Sequence, residues 1–411
     1  MEANKYTKEQ ILSVVGYGAL LFLFTGFLFN RVVGNLGFIL AGVYAVAKIK
    51  DIKWLFQDKW MWTFMALAIS AVCNDIWYEG LEFIDDRGVM KMVLVLFPSY
   101  VFALSPNQKM TSWVHVLIIL AMTVSSFYSL IHFFMNDESI IASYKVSKVM
   151  PVLSYGDHIR ISWVTVISMV LAMYEVKHTT KTYYKVILVA YIAFQALFLH
   201  FLGSKTGLIT LYLTMILASY MLLPKGKKWL AFLLYILMIL GAYSAVKYIP
   251  SLRERINFVK YDFQHYSKGE YREGLSDAIR YYSLLAGKDI ISKHPISGVG
   301  FSHLKSEVDQ WYKSEMPQIP ESSYFIPSSE IVIYWAALGI IGLFIFILHL
   351  VYPLFVSYLR DNIWFVTIFY PAAFSFLYET HLEGQLPLFV YAFFVSWAWY
   401  LAYSQYSNKN V

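Results

Sequence analysis

A single cysteine, Cys73, in 411 residues excludes any intrachain disulfide, so cysteine usage carries no information about the compartment. Charge is scarce as well. Asp, Glu, Lys and Arg make up 15% of the chain, where a soluble domain carries about 25%, which excludes an ordinary wetted surface. Alternating segments of about 10 residues, the signature of a transmembrane barrel, are absent. The net charge of +6 is spread over short loops. No basic cluster is large enough to follow a duplex, so a nucleic-acid partner is excluded. No internal repeat is visible, and the inverted repeats of many transporters have no support.

What the chain has instead is apolar length. Hydrophobic residues make up 58% and aromatics 18%, with a mean hydropathy of +0.53. Runs of roughly 18 to 22 apolar residues match a helix crossing a hydrocarbon core of about 30 Å. The expected fold is all-α: a polytopic integral membrane protein with about twelve transmembrane helices. The spans are expected near 11–30, 32–47, 61–78, 90–105, 113–134, 159–176, 186–203, 206–223, 229–248, 329–357, 363–379 and 387–404. The first run is long for a signal segment and has no small-residue cleavage site, so it is read as a retained span. The span near 329–357 is long enough to tilt or to extend beyond the membrane. These runs divide the chain into spans 1–9 (residues 1–248), one large loop (249–327) and spans 10–12 (328–411).

Lysine and arginine bias sets the orientation. Lys48, Lys50, Lys53 and Lys59 lie in one connection. Lys177, Lys181 and Lys185 lie in a second, and Lys225, Lys227 and Lys228 in a third; Lys109 and Arg360 fall on the same side. The opposite set includes an acidic 79–89 loop with Glu79, Glu82, Asp85 and Asp86. Alternation then puts both termini in the cytoplasm and the 249–327 loop outside. Within that loop, Leu275 to Lys293 reads as an amphipathic helix with Ala278, Tyr281, Tyr282, Leu285, Ile290 and Ile291 spaced for one buried face. It stops at a His294-Pro295-Ile296-Ser297-Gly298-Val299-Gly300-Phe301 turn.

Few residues can carry chemistry. Arg160 sits at the outer end of the sixth span, where an arginine is costly unless it is paired or faces water; its bland reading is snorkelling. Lys205 lies in Gly203-Ser204-Lys205-Thr206-Gly207, a tight outer turn that lacks the spacing and context of a nucleotide phosphate loop. Arg280 lies on the polar side of the loop helix and offers a planar fork to phosphate oxygens, with Asp277 and Lys288 as local partners. Ser328-Ser329-Glu330 opens the tenth span, as an ordinary helix start or as a carboxylate aimed at an outer cavity. Glu379, His381, Glu383 and Gln385 crowd the last outer turn. No second cluster completes a metal site, so a hydrogen-bonded network is expected there. Asp75 is a proton or cation group near the third span's outer edge.

The series Arg280 … His294-Pro295-Ile296-Ser297-Gly298-Val299-Gly300 … Ser328-Ser329-Glu330 … Leu338-Gly339-Ile340-Ile341-Gly342 resembles the O-antigen ligase/polymerase family of bacterial envelopes. Gly203-Ser204-Lys205-Thr206-Gly207 is similar to that family's Ser-Arg-Thr-Gly turn, with Lys205 in place of the arginine. His158-Ile159-Arg160 is similar to an arginine-bearing helix start in some members. The family's histidine falls on Ser328 here.

The resemblance implies a GT-C-like membrane glycosyltransferase of the bacterial inner membrane, with its active site facing the periplasm. It implies no metal and no cofactor. Its partners would be an undecaprenyl-diphosphate-linked glycan donor, a glycan or lipid-core acceptor, and membrane lipids. Arg160, Lys205 and Arg280 would hold the leaving diphosphate. Because the anomeric centre becomes oxocarbenium-like, a weak base suffices. Glu330 is the first candidate, followed by His158, His303 and His381. Trp311, Tyr312 and Tyr324 would line a glycan path. Ser328 in place of histidine favours a polymerase over a ligase; a polysaccharide-lipid transporter or an assembly protein are the rivals.

Overall fold

The computed structural model describes residues 8–80, 87–145, 148–223, 227–272 and 274–410. The expected acidic residues Glu82, Asp85 and Asp86, and Lys225, lie outside the described residues. No strand occurs among the described residues; the first half runs α1 (Lys8–Leu28), α2 (Arg31–Ala47), α3 (Lys59–Glu79), α4 (Arg87–Met90), α5 (Val93–Leu104), α6 (Gln108–Met135), α7 (Asp137–Tyr144), α8 (His158–His178) and α9 (Thr182–Leu202). It continues with α10 (Lys205–Leu222), α11 (Lys228–Tyr248), α12 (Pro250–Tyr266), α13 (Ser276–Lys293), α14 (Phe301–Glu315), α15 (Glu330–Val351), α16 (Ser357–Arg360), α17 (Ile363–Ser375) and α18 (Gln385–Asn410). Each of the twelve expected spans coincides with helix. Eight helices (α1, α6, α8, α9, α10, α11, α15 and α18) are long and apolar enough to cross a membrane, while α2, α17 and the 88–104 segment are apolar but shorter. The chain is built as a polytopic membrane protein.

Two helices form the axis. In their most apolar windows, 83% of α8 and 78% of α18 is buried, against 6% of α11, which stands at the edge of the bundle. Aromatic side chains fill the centre: Phe24 meets Phe393 edge-on at 5.4 Å, and Trp60 meets Trp399 at 4.7 Å. Where backbones must touch, glycine permits it. A Cβ on Gly26 of α1 would fall 2.2 Å from the Gly34 Cα of α2. Buried polar groups pair across helices: His349 bridges Thr63 at 2.8 Å and Tyr391 at 2.7 Å.

The 249–327 segment is more ordered than a loop with one helix. Besides the expected helix, realised as α13, it carries α12 and α14. Helix α13 has no local side-chain cap. Asp262 of α12 replaces it, accepting from the Asp277 N–H at 2.7 Å and the Ala278 N–H at 3.1 Å.

The long tenth span neither simply tilts nor runs on; it breaks. Gly339 adopts φ 65° and ψ −156° inside α15. The carbonyls freed by the break accept from the turn that follows α13: Val299 N–H donates to Ala336 O and Gly300 N–H to Ala337 O, both at 2.9 Å. Ile340 N–H donates back to Pro295 O at 3.0 Å. The two glycine-bearing motifs are therefore halves of one backbone clasp, which satisfies polar groups in an apolar setting. It fixes α13, and with it Arg280, against the start of α15.

Candidate functional site

The starts of α8, α10 and α15 and the 376–384 turn between α17 and α18 meet at one end of the bundle, beneath α12 and α13. They enclose a cleft of about 460 Å³. Lys205, Arg255 and Arg280 line it with Asp277, Glu379 and His158. The lysines at 177, 181 and 185 lie at or beyond the far end of α8, whose 21 residues span about 30 Å at 1.5 Å per residue. The cleft and this basic connection are thus at opposite ends.

Local sequence explains how the cations arrive. Gly203 adopts φ +60°, ending α9, and Ser204 caps α10 by accepting from the Gly207 N–H. Gly207 lets α10 approach α8, since a Cβ there would lie 2.4 Å from Ser162 Cβ. Lys205 is thereby held at the rim, where its ammonium pairs with Asp277. Arg280 lies about one turn along α13 from its capped start. It donates to Tyr378 O at 2.9 Å and pairs with Glu379 at 2.8 Å. Glu379 also accepts from the Thr206 hydroxyl at 2.8 Å. Arg255 of α12 is buried, and that burial lowers its pKa ahead of the opposing pull of Asp277. Three cations against two carboxylates leave the lining one positive charge in excess, with His158 neutral.

The expected site residues separate into two groups. Lys205, Arg280, Ser328, Glu379 and His158 come together around the cleft. Arg160 does not line it. Its guanidinium turns inward to donate to Thr380 O and lies 3.7 Å from Asp157, so it braces the wall. Glu330 does not reach the cleft either: it is fully buried, its N–H held by Phe376 O at 3.0 Å and its carboxylate by the Leu382 N–H at 3.2 Å. His381 is buried, bonded to Ser375 at 2.6 Å and tilted against the Trp163 ring at 4.7 Å. Burial, then Arg160 and Arg280, push its pKa well below the usual histidine value. His303 lies exposed on α14 against Ser302 and Tyr78. Asp277 partners Lys205 rather than Arg280, and Asp75 is buried beside Gly88.

The turn residues do form a network, but each looks to a different partner: Glu379 to Arg280, His381 to Ser375, and Glu383 to Lys91 at 2.5 Å. Lys91 went unassigned in the sequence. It is fully buried, and also donates to Leu382 O at 3.0 Å. A lone lysine inside an apolar run was its signal. Arg255 gave none, because nothing local marks α12 as part of a site. Of the aromatics expected on a glycan path, Tyr324 lines an adjoining cavity of about 430 Å³ that shares Arg280 with the cleft. Tyr312 is buried behind Tyr324, stacked at 4.6 Å, and Trp311 packs edge-on to Tyr312.

No curated protein matches this sequence. A family model described as O-antigen ligase matches residues 187–347, a stretch that contains Lys205, Arg255, Arg280, the clasp and Ser328. That match supports assigning the chain to the O-antigen ligase/polymerase family.

Proposed function

We propose that the chain is a metal-independent glycosyltransferase that moves a glycan from undecaprenyl diphosphate to an acceptor hydroxyl on the periplasmic side of the inner membrane. One observation carries this reading: Lys205, Arg255 and Arg280 converge on a single cleft at the end of an apolar bundle. A lipid diphosphate needs that arrangement, with its tail in the bilayer and its charge at the membrane edge. The acceptor oxygen attacks the anomeric carbon, the carbon–oxygen bond to phosphate breaks, and the electron pair leaves with the diphosphate. Fixed cations stabilise that charge as it develops without having to reorganise.

The acceptor proton passes to Glu379, which lines the cleft, whereas Glu330 lies behind it and positions the 376–384 turn. Arg280 and Thr206 fix the Glu379 carboxylate, as a general base requires. Arg160 serves as a positioning residue through Thr380. The donor's glycan leaves past Tyr324. Ser328 favours a polymerase: its hydroxyl donates to Arg280 O at 3.2 Å, and it offers no imidazole for a ligase-type base.

The test is transfer from a lipid-diphosphate-linked oligosaccharide by the purified protein in liposomes, alongside a gel of surface polysaccharide from cells. Arg280→Ala should abolish transfer at unchanged protein level, and in cells it should shorten the glycan ladder. Unchanged transfer by both Arg280→Ala and Lys205→Ala would refute the donor site. Full-length glycan that is no longer attached to lipid would make the protein a ligase.

A further inference from the structure

A separate cavity of about 380 Å³ opens at the same end of the bundle, between α1, α2, the 154–157 segment and the start of α18. Asp157 lines it while His158 lines the cationic cleft, so the two spaces adjoin across one residue of backbone. On the far side, the 376–384 turn likewise gives Glu379 to the cleft and Gly384 to this cavity. The floor is apolar, including Phe27 and Phe389; Arg31, Ser154, Tyr155, Asp157 and Gln385 add polar and aromatic groups.

Three features mark a built site. Ser154 is fully buried, lines the cavity, and its hydroxyl has no hydrogen-bond partner within the protein. Ser154 and Tyr155 have φ values of 60° and 59°. Two consecutive non-glycine residues in the left-handed region are costly and persist only where surroundings enforce them. That backbone sets the Tyr155 ring, 47% exposed, against the Arg31 guanidinium at 4.8 Å. Gln385 bridges to Asn35, joining α18 to α2 at this site.

The charge differs from that of the cleft. One guanidinium and one carboxylate cancel, and Asp157 already accepts from the Arg160 N–H at 3.1 Å. Such a lining does not select a diphosphate. It suits a polyhydroxyl ligand: guanidinium and amide donate, serine and carboxylate oxygens accept, and the phenol ring covers the apolar face of a pyranose. We propose that this cavity seats a sugar unit of the acceptor glycan. The proposal rests on the reading of the cationic cleft as the donor site.

The test uses purified full-length protein and two probes: the oligosaccharide freed by mild acid from the host's own lipid-linked glycan, and the host's lipid-core oligosaccharide. Binding is read by saturation-transfer NMR, and acceptor and donor KM by the transfer assay. Tyr155→Ala and Gln385→Ala should each weaken binding of one probe and raise acceptor KM about five-fold, the loss of roughly one hydrogen bond or ring contact, with donor KM unchanged. Leu386→Trp, which fills the cavity from its wall, should do the same; Arg280→Ala should leave probe binding intact. Wild-type protein that binds neither probe would overturn the proposal. So would binding that survives both Tyr155→Ala and Leu386→Trp, or that is lost through Tyr324→Ala alone. Failure of the donor reading shows up separately, as transfer that survives both Arg280→Ala and Lys205→Ala.

Discussion

Replacing Gly339 by alanine tests the clasp directly. At φ 65°, ψ −156° an L-residue is strained, at a cost of about 1–3 kcal/mol. The new Cβ would also lie 1.9 Å from Ile296 O and 2.3 Å from Ile296 C. Both are backbone atoms, so no side-chain rotation relieves the contact; overpacking of this kind costs another 1–3 kcal/mol or so. If the turn withdraws instead, the bonds from Val299, Gly300 and Ile340 are lost, each worth about 1 kcal/mol. Either route destabilises by roughly 3–5 kcal/mol, in the range reserved for a named structural failure. Gly298→Ala attacks the same joint from the other side, with its Cβ 2.3 Å from Ala337 O. The two substitutions should therefore be strongly non-additive. Gly18→Ala is the control, since nothing lies within 4 Å of a Cβ there. In thermal denaturation of the purified protein, Gly339→Ala should lower the midpoint by several degrees and Gly18→Ala should not lower it. A midpoint for Gly339→Ala equal to that of wild type, or additive effects of Gly298→Ala and Gly339→Ala, would refute the clasp.

Three further outcomes are expected. Glu379→Gln, which keeps the shape but not the proton affinity, should retain donor binding while single-turnover transfer falls by about 10²- to 10⁴-fold; a fall below ten-fold removes Glu379 as the base. Lys91→Ala leaves Glu383 without its buried cation and should cost about 3–5 kcal/mol, part of which Glu383→Gln in the same chain should recover in a melting experiment. His381 is held neutral in the folded protein, so its contribution to stability is present above the unfolded pKa of about 6.5 and is lost as pH falls below it. Wild-type stability should decline there by up to about 1.4 kcal/mol per pH unit from this one site, and denaturation midpoints of His381→Asn between pH 7.5 and 5.5 should show a shallower decline.

Hydrophobic length makes the helices legible before any coordinates, because each expected span is a local property of one run. Helix α13 is legible for the same reason, expected over Leu275 to Lys293 and found over Ser276–Lys293. Helix α14 carries an equally regular face in Phe301, Leu304, Val308 and Tyr312, but the preceding Pro and Gly residues read as a turn and hide the helix that follows them. Partnerships are where sequence falls silent. Arg280 finds Glu379 across 99 positions of chain, and the cap of α13 comes from Asp262 rather than from the apolar Leu275. The glycine of Leu338-Gly339-Ile340-Ile341-Gly342 is visible, but only its contact with Ile296 reveals a break rather than a helical glycine.

The connection between α17 and α18 has a further consequence. Arg280 holds the carbonyl of Tyr378, Arg160 that of Thr380, and Lys91 that of Leu382. Cations from α13, from α8 and from the turn between α4 and α5 thus grip every second carbonyl of one short strip of backbone. The grip is on main-chain atoms, so it depends on the path of the backbone rather than on which side chains the strip carries. Substitutions at Leu377 or Thr380 leave that path alone. Inserting one residue between Tyr378 and Leu382 would move the later carbonyls out of register with their cations. For this connection, length is the inherited constraint.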